Sequence, residues 1–238
     1  MRLLLDPHTH SVSSGHAYST ILENATSANA KGLALIAATD HAPAMPGSVT
    51  ELYFQNLRVL PTKIHDVEIL KGAELSILDE EGSLDLPSAI LSTLDVVIAA
   101  LHPPCLPPHT LDDYTATIIN VMKNPHVSII GHLGDPRYPI NIPAVVRAAK
   151  EYKVIIELNN SSLSPTSFRL GGELLLEELV KQCVQTGAPM VVGSDAHYAD
   201  TVGEFGFALS LLQKLNVPPS CVLNTNVAAF KEYLRRNI

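Results

Sequence analysis

Short β-branched or leucine-rich runs alternate with longer amphipathic stretches along the whole chain, and this alternation restricts the fold more than any other feature. Seven runs have the length and composition of buried strands: Arg2–Leu5, Leu33–Ala38, Val67–Ala73, Asp95–Ala100, Val127–Ile130, Val154–Leu158 and Met190–Val192. Helical patterns fall between them near Thr20–Lys31, Thr50–Leu57, Leu111–Lys123, Pro143–Tyr152, Glu173–Thr186 and Gly203–Leu215, with a last one near Val227–Arg236. Strand and helix in regular succession are the signature of βα units around a mainly parallel sheet. Local chemistry supports several boundaries: Ser19 can cap a helix start, Pro143 suits a first helical turn, and Gly32 and Gly187 stand where helices end. Glu80–Ser83 reads as a hairpin turn between two extended pieces. No Ser/Gly/Pro linker, repeat or low-complexity tract divides the 238 residues, so residues 1–238 are expected to form a single domain.

The polar residues recur at one place in each unit, directly after the strand: Asp6, His8 and His10; Asp40 and His41; Glu74; His102; His132; Glu157 to Asn160; Asp195 and His197. In βα barrels the C-terminal strand ends form the active-site face, so the pattern describes one convergent site. Ten histidines stand in a chain with 24 acidic and 16 basic residues, a net charge of −8, and the helices between the strands carry almost none of them. An acidic chain with scattered basic residues argues against a nucleic-acid backbone binder, and 5% aromatic residues with no Trp offer no stacking platform. The N-terminal MRLLLDPHTH is too short for a signal core, and no stretch approaches a membrane span. The expectation is therefore a soluble, cytoplasmic protein. Cys105, Cys183 and Cys221 are odd in number and far apart, as reduced thiols would be.

Residues i and i+2 of a strand share a face, so His8 and His10 can grip one ion together. Seven histidines (His8, His10, His16, His41, His102, His132 and His197) with Glu74 and Asp195 give nine candidate metal ligands, more than one tetrahedral site uses. The excess implies a multinuclear centre, and imidazole with carboxylate suits zinc, manganese or iron. His65 and His126 fall at helix-to-strand connections and read as solvated, and His109 is left near the site mouth without a role. Cys105 and Cys183 read as packing residues, and the prolines at 103, 104, 107 and 108 as a rigid loop beside the site.

The ordered set HxH, His16, TDH, GxE, HPP, GH and SDxH, running from Asp6 to His197, resembles the polymerase and histidinol phosphatase (PHP) superfamily. It is most similar to the small stand-alone bacterial phosphatases, through HAYST at His16–Thr20, ELNNSS at Glu157–Ser162, and GSDAH followed by GEF at Gly203–Phe205. The segment GHLGDPRY at Gly131–Tyr138 departs from the commoner SHPGxPxY of that family. The resemblance implies a distorted (β/α)7 barrel, TIM-like, holding three divalent metal ions, usually zinc. It further implies that one ion takes His8, His10, Glu74 and Asp195, a second shares Glu74 and takes His102 and His132, and a third takes His16, His41 and His197.

Such a centre fits phosphomonoester hydrolysis, with a hydroxide between the two ions that share Glu74 as the expected nucleophile. Glu74, Asp195 and His197 are the candidate catalytic residues. Asp40 joins them either by orienting an imidazole, the preferred role, or as a proton donor to the leaving group. Asp6 is likewise expected to orient a neighbour. Arg137 and Arg169 are the candidate phosphate-binding residues, because guanidinium grips phosphate with paired hydrogen bonds. The expected partner is a small phosphorylated molecule, and barrels of this size commonly form homo-oligomers. Two rivals are an amidohydrolase or lactonase on the related eight-stranded barrel, and a metal-binding module without turnover. The first needs neither His16 nor His41 and often has a carboxylated lysine where this chain has Glu74; the second has no physical need for nine intact ligands.

Overall fold

The computed structural model describes residues 1–110 and 112–235. Its strands are β1 (Leu5–Thr9), β2 (Leu35–Ala38), β3 (Lys63–Ile64), β4 (Val67–Ser76), β5 (Val96–Ala100), β6 (Ile129–Ile130), β7 (Ile155–Asn159) and β8 (Met190–Gly193). Seven run parallel in the order β1-β2-β4-β5-β6-β7-β8, and the two-residue β3 pairs antiparallel with the start of β4. A parallel bridge from Thr9 to Ala196, with the His10 N–H donating to the Ala196 carbonyl at 2.8 Å, ties the end of β1 to the segment after β8. The ring is thus nearly closed, a distorted TIM-like barrel with seven parallel strands.

Period-two alternation sorts each strand between two cores. Leu5, Leu35, Ala37, Leu70, Val96, Ile98, Ile129, Ile155 and Val191 form one apolar cluster inside the ring. Phe230 and Leu234 of α8 (Val227–Arg235) belong to the same cluster and plug it. The alternate residues, such as Ile36, Ile69, Val97, Ile130, Ile156 and Val192, pack instead with the surrounding helices. These are α1 (Ile21–Ala30), α2 (Glu51–Asn56), α3 (Ser88–Leu91), α4 (Thr115–Met122), α5 (Ile142–Tyr152), α6 (Glu173–Thr186) and α7 (Gly206–Lys214).

Followed two residues at a time, the inward face turns from apolar to polar toward each C-terminal end. Ile155 leads to Glu157 and Asn159, Leu70 to Glu74 and Ser76, Ile98 to His102, and Val191 to Asp195. β1 needs a change of parity for His8 and His10 to join them after Leu5. Its pairing with β2 has a register shift between Asp6 and Thr9 that supplies it.

Several boundaries differ from expectation for local reasons. The first strand is Leu5–Thr9 rather than Arg2–Leu5, because Asp6, His8 and Thr9 are themselves buried in the ring. Thr20, not Ser19, caps α1: its hydroxyl accepts from Glu23 N at 3.2 Å while the Glu23 carboxylate accepts from Thr20 N at 2.7 Å. Ser19 accepts instead from Ala199 N at 2.8 Å. Helix α4 starts at Thr115, whose N–H donates to Asp113 at 2.7 Å; the expected limits Leu111 and Arg236 lie outside the described residues. Helix α7 starts at Gly206, since Gly203 has φ 73° and its N–H donates to Asp6 at 2.9 Å. Pro143 does sit in the first turn of α5, Gly187 ends α6 in the left-handed conformation, and Ile77 bridges Leu84 across the expected hairpin turn. Cys183 is buried on α6.

Candidate metal centre

All nine candidate ligands except His16 and His197 are buried, and all nine converge at the C-terminal mouth of the ring. Nε2 of His8 and Nε2 of His10 lie 3.0 Å apart. From Glu74 Oε2 they stand at 3.4 and 3.3 Å, and from Asp195 Oδ1 at 3.6 and 3.3 Å. Four donors on a tetrahedron about a zinc ion would be spaced by about 3.3 Å, so His8, His10 and Glu74 have the spacing of three donors to one ion, and Asp195 lies within similar reach of both imidazoles. Glu74 Oε1 faces a second pair, His102 Nε2 at 3.1 Å and His132 Nε2 at 2.8 Å. Of the remaining three histidines, His41 and His197 gather around His10, with ring centres 4.4 and 4.2 Å from its own, so that the three could hold one ion, while His16 stacks on His41 at 4.9 Å and approaches His197 Nε2 to Nε2 at 3.1 Å.

The hydrogen bonds around these rings suit the inner nitrogens to metal ligation. His8 Nδ1 donates to Glu157 at 2.7 Å, His10 Nδ1 to Ser14 Oγ at 3.0 Å, and His197 Nδ1 to the Asp195 carbonyl at 3.0 Å. A neutral imidazole that donates from Nδ1 presents a bare lone pair at Nε2. His8 and His10 therefore turn two lone pairs toward each other in a buried space, an arrangement that a metal ion satisfies. Glu74 Oε2 and His41 Nδ1 are buried 2.9 Å apart, yet neither has a hydrogen-bond partner. The residues present thus fit a group of divalent ions. Burial would raise the pKa values of Glu74 and Asp195, but the surrounding imidazoles, with Arg169 beside Asp195, hold both well below the usual carboxylate range.

Backbone geometry contributes as well. His132 has φ 28° and Asp195 φ 58°, left-handed values that cost a non-glycine residue energy and swing each side chain into the mouth immediately after its strand.

The supporting residues partly depart from expectation. Asp40 touches no imidazole. Its carboxylate accepts from Ser11 N (2.6 Å), Ser11 Oγ (2.8 Å), Ser14 Oγ (2.7 Å) and Tyr53 OH (2.5 Å), and it reaches His10 through Ser14. Asp6 accepts from the backbone N–H groups of Ser194 (3.1 Å) and Gly203 (2.9 Å), and burial pushes its carboxyl up to about 6. Glu157, to which the sequence assigned no partner, is fully buried, holds His8, and accepts from His132 N at 2.7 Å. Its signal was a carboxylate on the inward parity of an apolar strand. Ser76 Oγ lies 3.0 Å from His102 Nδ1, and nothing in the sequence singled it out.

The two arginines are placed differently. Arg169 Nη1 donates to Asp195 Oδ2 and to Ser162 Oγ, both at 3.2 Å, at the edge of the ligand group. Arg137 is held by Asp135 through Nε at 2.9 Å and Nη2 at 2.6 Å, and its side chain is 38% exposed. His65 and His109 are exposed, and His126 is half-buried. The proline loop is pinned by Tyr138, whose hydroxyl donates to the Leu106 carbonyl at 2.7 Å. Among the described residues no helix is long and apolar enough to cross a membrane.

No protein-family model matches the chain. It is 52% identical over 236 residues to a protein of Thermoanaerobacter sp. (strain X514) named probable phosphatase, covering 99% of this chain and 96% of the relative. A protein of the same name from Caldanaerobacter subterraneus subsp. tengcongensis is 50% identical over 236 residues, covering 99% and 92%. Among solved structures, the histidinol phosphate phosphatase of Lactococcus lactis subsp. lactis, complexed with zinc, L-histidinol and phosphate, superposes with a TM-score of 0.63 at 22% identity. That match covers 88% of this chain and 92% of the other, and it shows a shared fold. With half its residues shared over nearly its whole length, the chain belongs to the family of these bacterial proteins named probable phosphatases.

Proposed function

We propose that the protein is a metal-dependent phosphatase acting on small phosphomonoesters, with its nine ligands holding three divalent ions. The observation that carries this is the pairing of buried, outwardly anchored imidazoles whose inner nitrogens face each other around Glu74, His8 to His10 at 3.0 Å above all. When bound, ions of this kind activate water as a nucleophile and neutralise phosphate and leaving-group charge. His8, His10, Glu74 and Asp195 would hold the first, Glu74, His102 and His132 the second, and His16, His41 and His197 the third.

The chain's own groups supply the rest. Glu74 spans two ligand sets with its two oxygens, so its charge fixes their spacing. Arg169 lies beside Asp195 with part of its fork of donors available for phosphate oxygens. Arg137 would first have to leave Asp135, which makes it the weaker of the two candidates. Asp40 already accepts four hydrogen bonds, so it suits the positioning of Ser14 and His10 better than proton donation to a leaving group.

The test is to offer the purified protein p-nitrophenyl phosphate and a lactone, each with and without chelator. Phosphate release that the chelator abolishes is expected. Lactone opening alone would favour the amidohydrolase rival, and no turnover with metal bound would favour the non-catalytic module.

A further inference from the structure

A carboxylate that ligates through one oxygen keeps its orientation only if its other oxygen is held. Asp195 shows this division. Its Oδ1 faces Nε2 of His8 and of His10 at 3.6 and 3.3 Å, while its Oδ2 accepts from Arg169 Nη1 and from Asn159 Nδ2, each at 3.2 Å. Asn159 is the last residue of β7 and is fully buried. Glu157 stands two residues before it on the same inward face, and the Asn159 amide also donates to Glu157 Oε2 at 3.2 Å. One nitrogen thus lies between two buried carboxylates, of which one faces the imidazoles and the other accepts from His8 Nδ1 at 2.7 Å.

The far end of the amide fixes its orientation. Asn159 Oδ1 accepts from Ser162 N at 2.8 Å and from Ser162 Oγ at 2.9 Å, so its two donors and both acceptor positions are used. Turned over, the amide would set its oxygen against two carboxylates and its NH2 against the Ser162 N–H. Ser162 Oγ accepts in turn from Arg169 Nη1 at 3.2 Å, which closes a ring of contacts through Asn159, Ser162, Arg169 and Asp195. Asn160, the next residue of the same ELNNSS run, has a different partner: its Oδ1 accepts from Ala208 N at 3.0 Å in the first turn of α7.

Resting on the reading of the buried histidines and acids as metal ligands, we propose that Asn159 is a positioning residue of the metal centre. It acts directly on Asp195 and, through Glu157, on His8, so one amide sets both a carboxylate and an imidazole assigned to the first ion. Asn160 serves the fold alone.

The experiment measures the zinc affinity of the protein by competition with a chromogenic chelator, alongside the Tm of the metal-free form. Asn159→Ala removes both donors and should weaken zinc binding roughly ten- to a hundredfold. Asn160→Ala should lower Tm and leave zinc affinity unchanged, because that side chain holds α7 and no carboxylate. Ser162→Ala takes away one of the two bonds that orient the amide and should weaken zinc binding less, roughly two- to fivefold. A lowered Tm with unaltered zinc affinity in Asn159→Ala, or equal losses of affinity in the two asparagine variants, would overturn the proposal while leaving the metal reading intact. If Asn159→Ala does not fold, Ser162→Ala decides, and unaltered affinity there overturns it. If the unaltered protein binds no zinc, the metal reading falls and the proposal falls with it.

Discussion

Glu74 takes imidazole nitrogens on both carboxylate oxygens, His102 and His132 on one and His8, His10 and His41 on the other. Glu74→Gln keeps the shape and removes the charge. Bound metal should fall by about one equivalent or more and turnover by roughly a hundredfold, and near-normal activity would refute the shared role of this carboxylate. For the arginines, Arg169→Ala should raise KM for a phosphomonoester about tenfold, whereas Arg137→Ala should change it less because Asp135 already occupies its fork. An unchanged KM in Arg169→Ala would remove that residue from the phosphate site. Eight of the nine candidate ligands stand out in the sequence because each is a histidine or acid at a recurring strand-end place, whereas His16 stands out through the ordered motif set. Ser14 and Ser76 do not, because serines occur everywhere; Glu157 was placed at the convergent face, but its hold on His8, 149 residues away in sequence, was not legible.

At the scale of strands and turns, the centre depends on how closely neighbouring backbones approach. A Cβ added to Gly193, at the end of β8, would lie 2.0 Å from Glu157 Oε1 and 2.9 Å from His8 Cβ. Gly193→Ala should therefore displace the carboxylate that orients His8 and lower metal affinity roughly ten- to a hundredfold, measured by competition with a chromogenic chelator. Unchanged affinity would mean that Glu157 does not position His8. Asp85 offers a pH-dependent readout. It joins two segments by accepting from Ala44 N at 3.0 Å and Ser76 N at 2.9 Å, and burial raises its carboxyl to about 6. Folding thus strengthens its hold on a proton. The stability this gives is present at low pH and is lost as pH rises from the unfolded value toward about 6. In Asp85→Asn, the fall of Tm across that window should flatten, and an unaltered slope would contradict the assignment. Strand existence was legible from apolar runs, but the ends were not. The polar residues that mark a strand's end in sequence are its last inward-facing residues in β1, β4 and β7, buried because the ring surrounds them.

Over the whole molecule, one sheet serves two purposes. Its inward face is an apolar core shared with Phe230 and Leu234 of α8 that gives way, at the C-terminal strand ends, to a polar group of candidate metal ligands. The seven parallel strands were legible from the alternation, whereas the near closure through Thr9 and Ala196 depends on a long-range pairing that no local pattern encodes. A net charge of −8 is compatible with phosphate binding, since divalent ions at the mouth would make it locally positive. The most direct test of the account is to strip the protein with chelator and titrate zinc back while following phosphate release from p-nitrophenyl phosphate. The account predicts no activity in the stripped protein and recovery that completes only near about three equivalents per chain. Full activity at one equivalent, or turnover without metal, would contradict it.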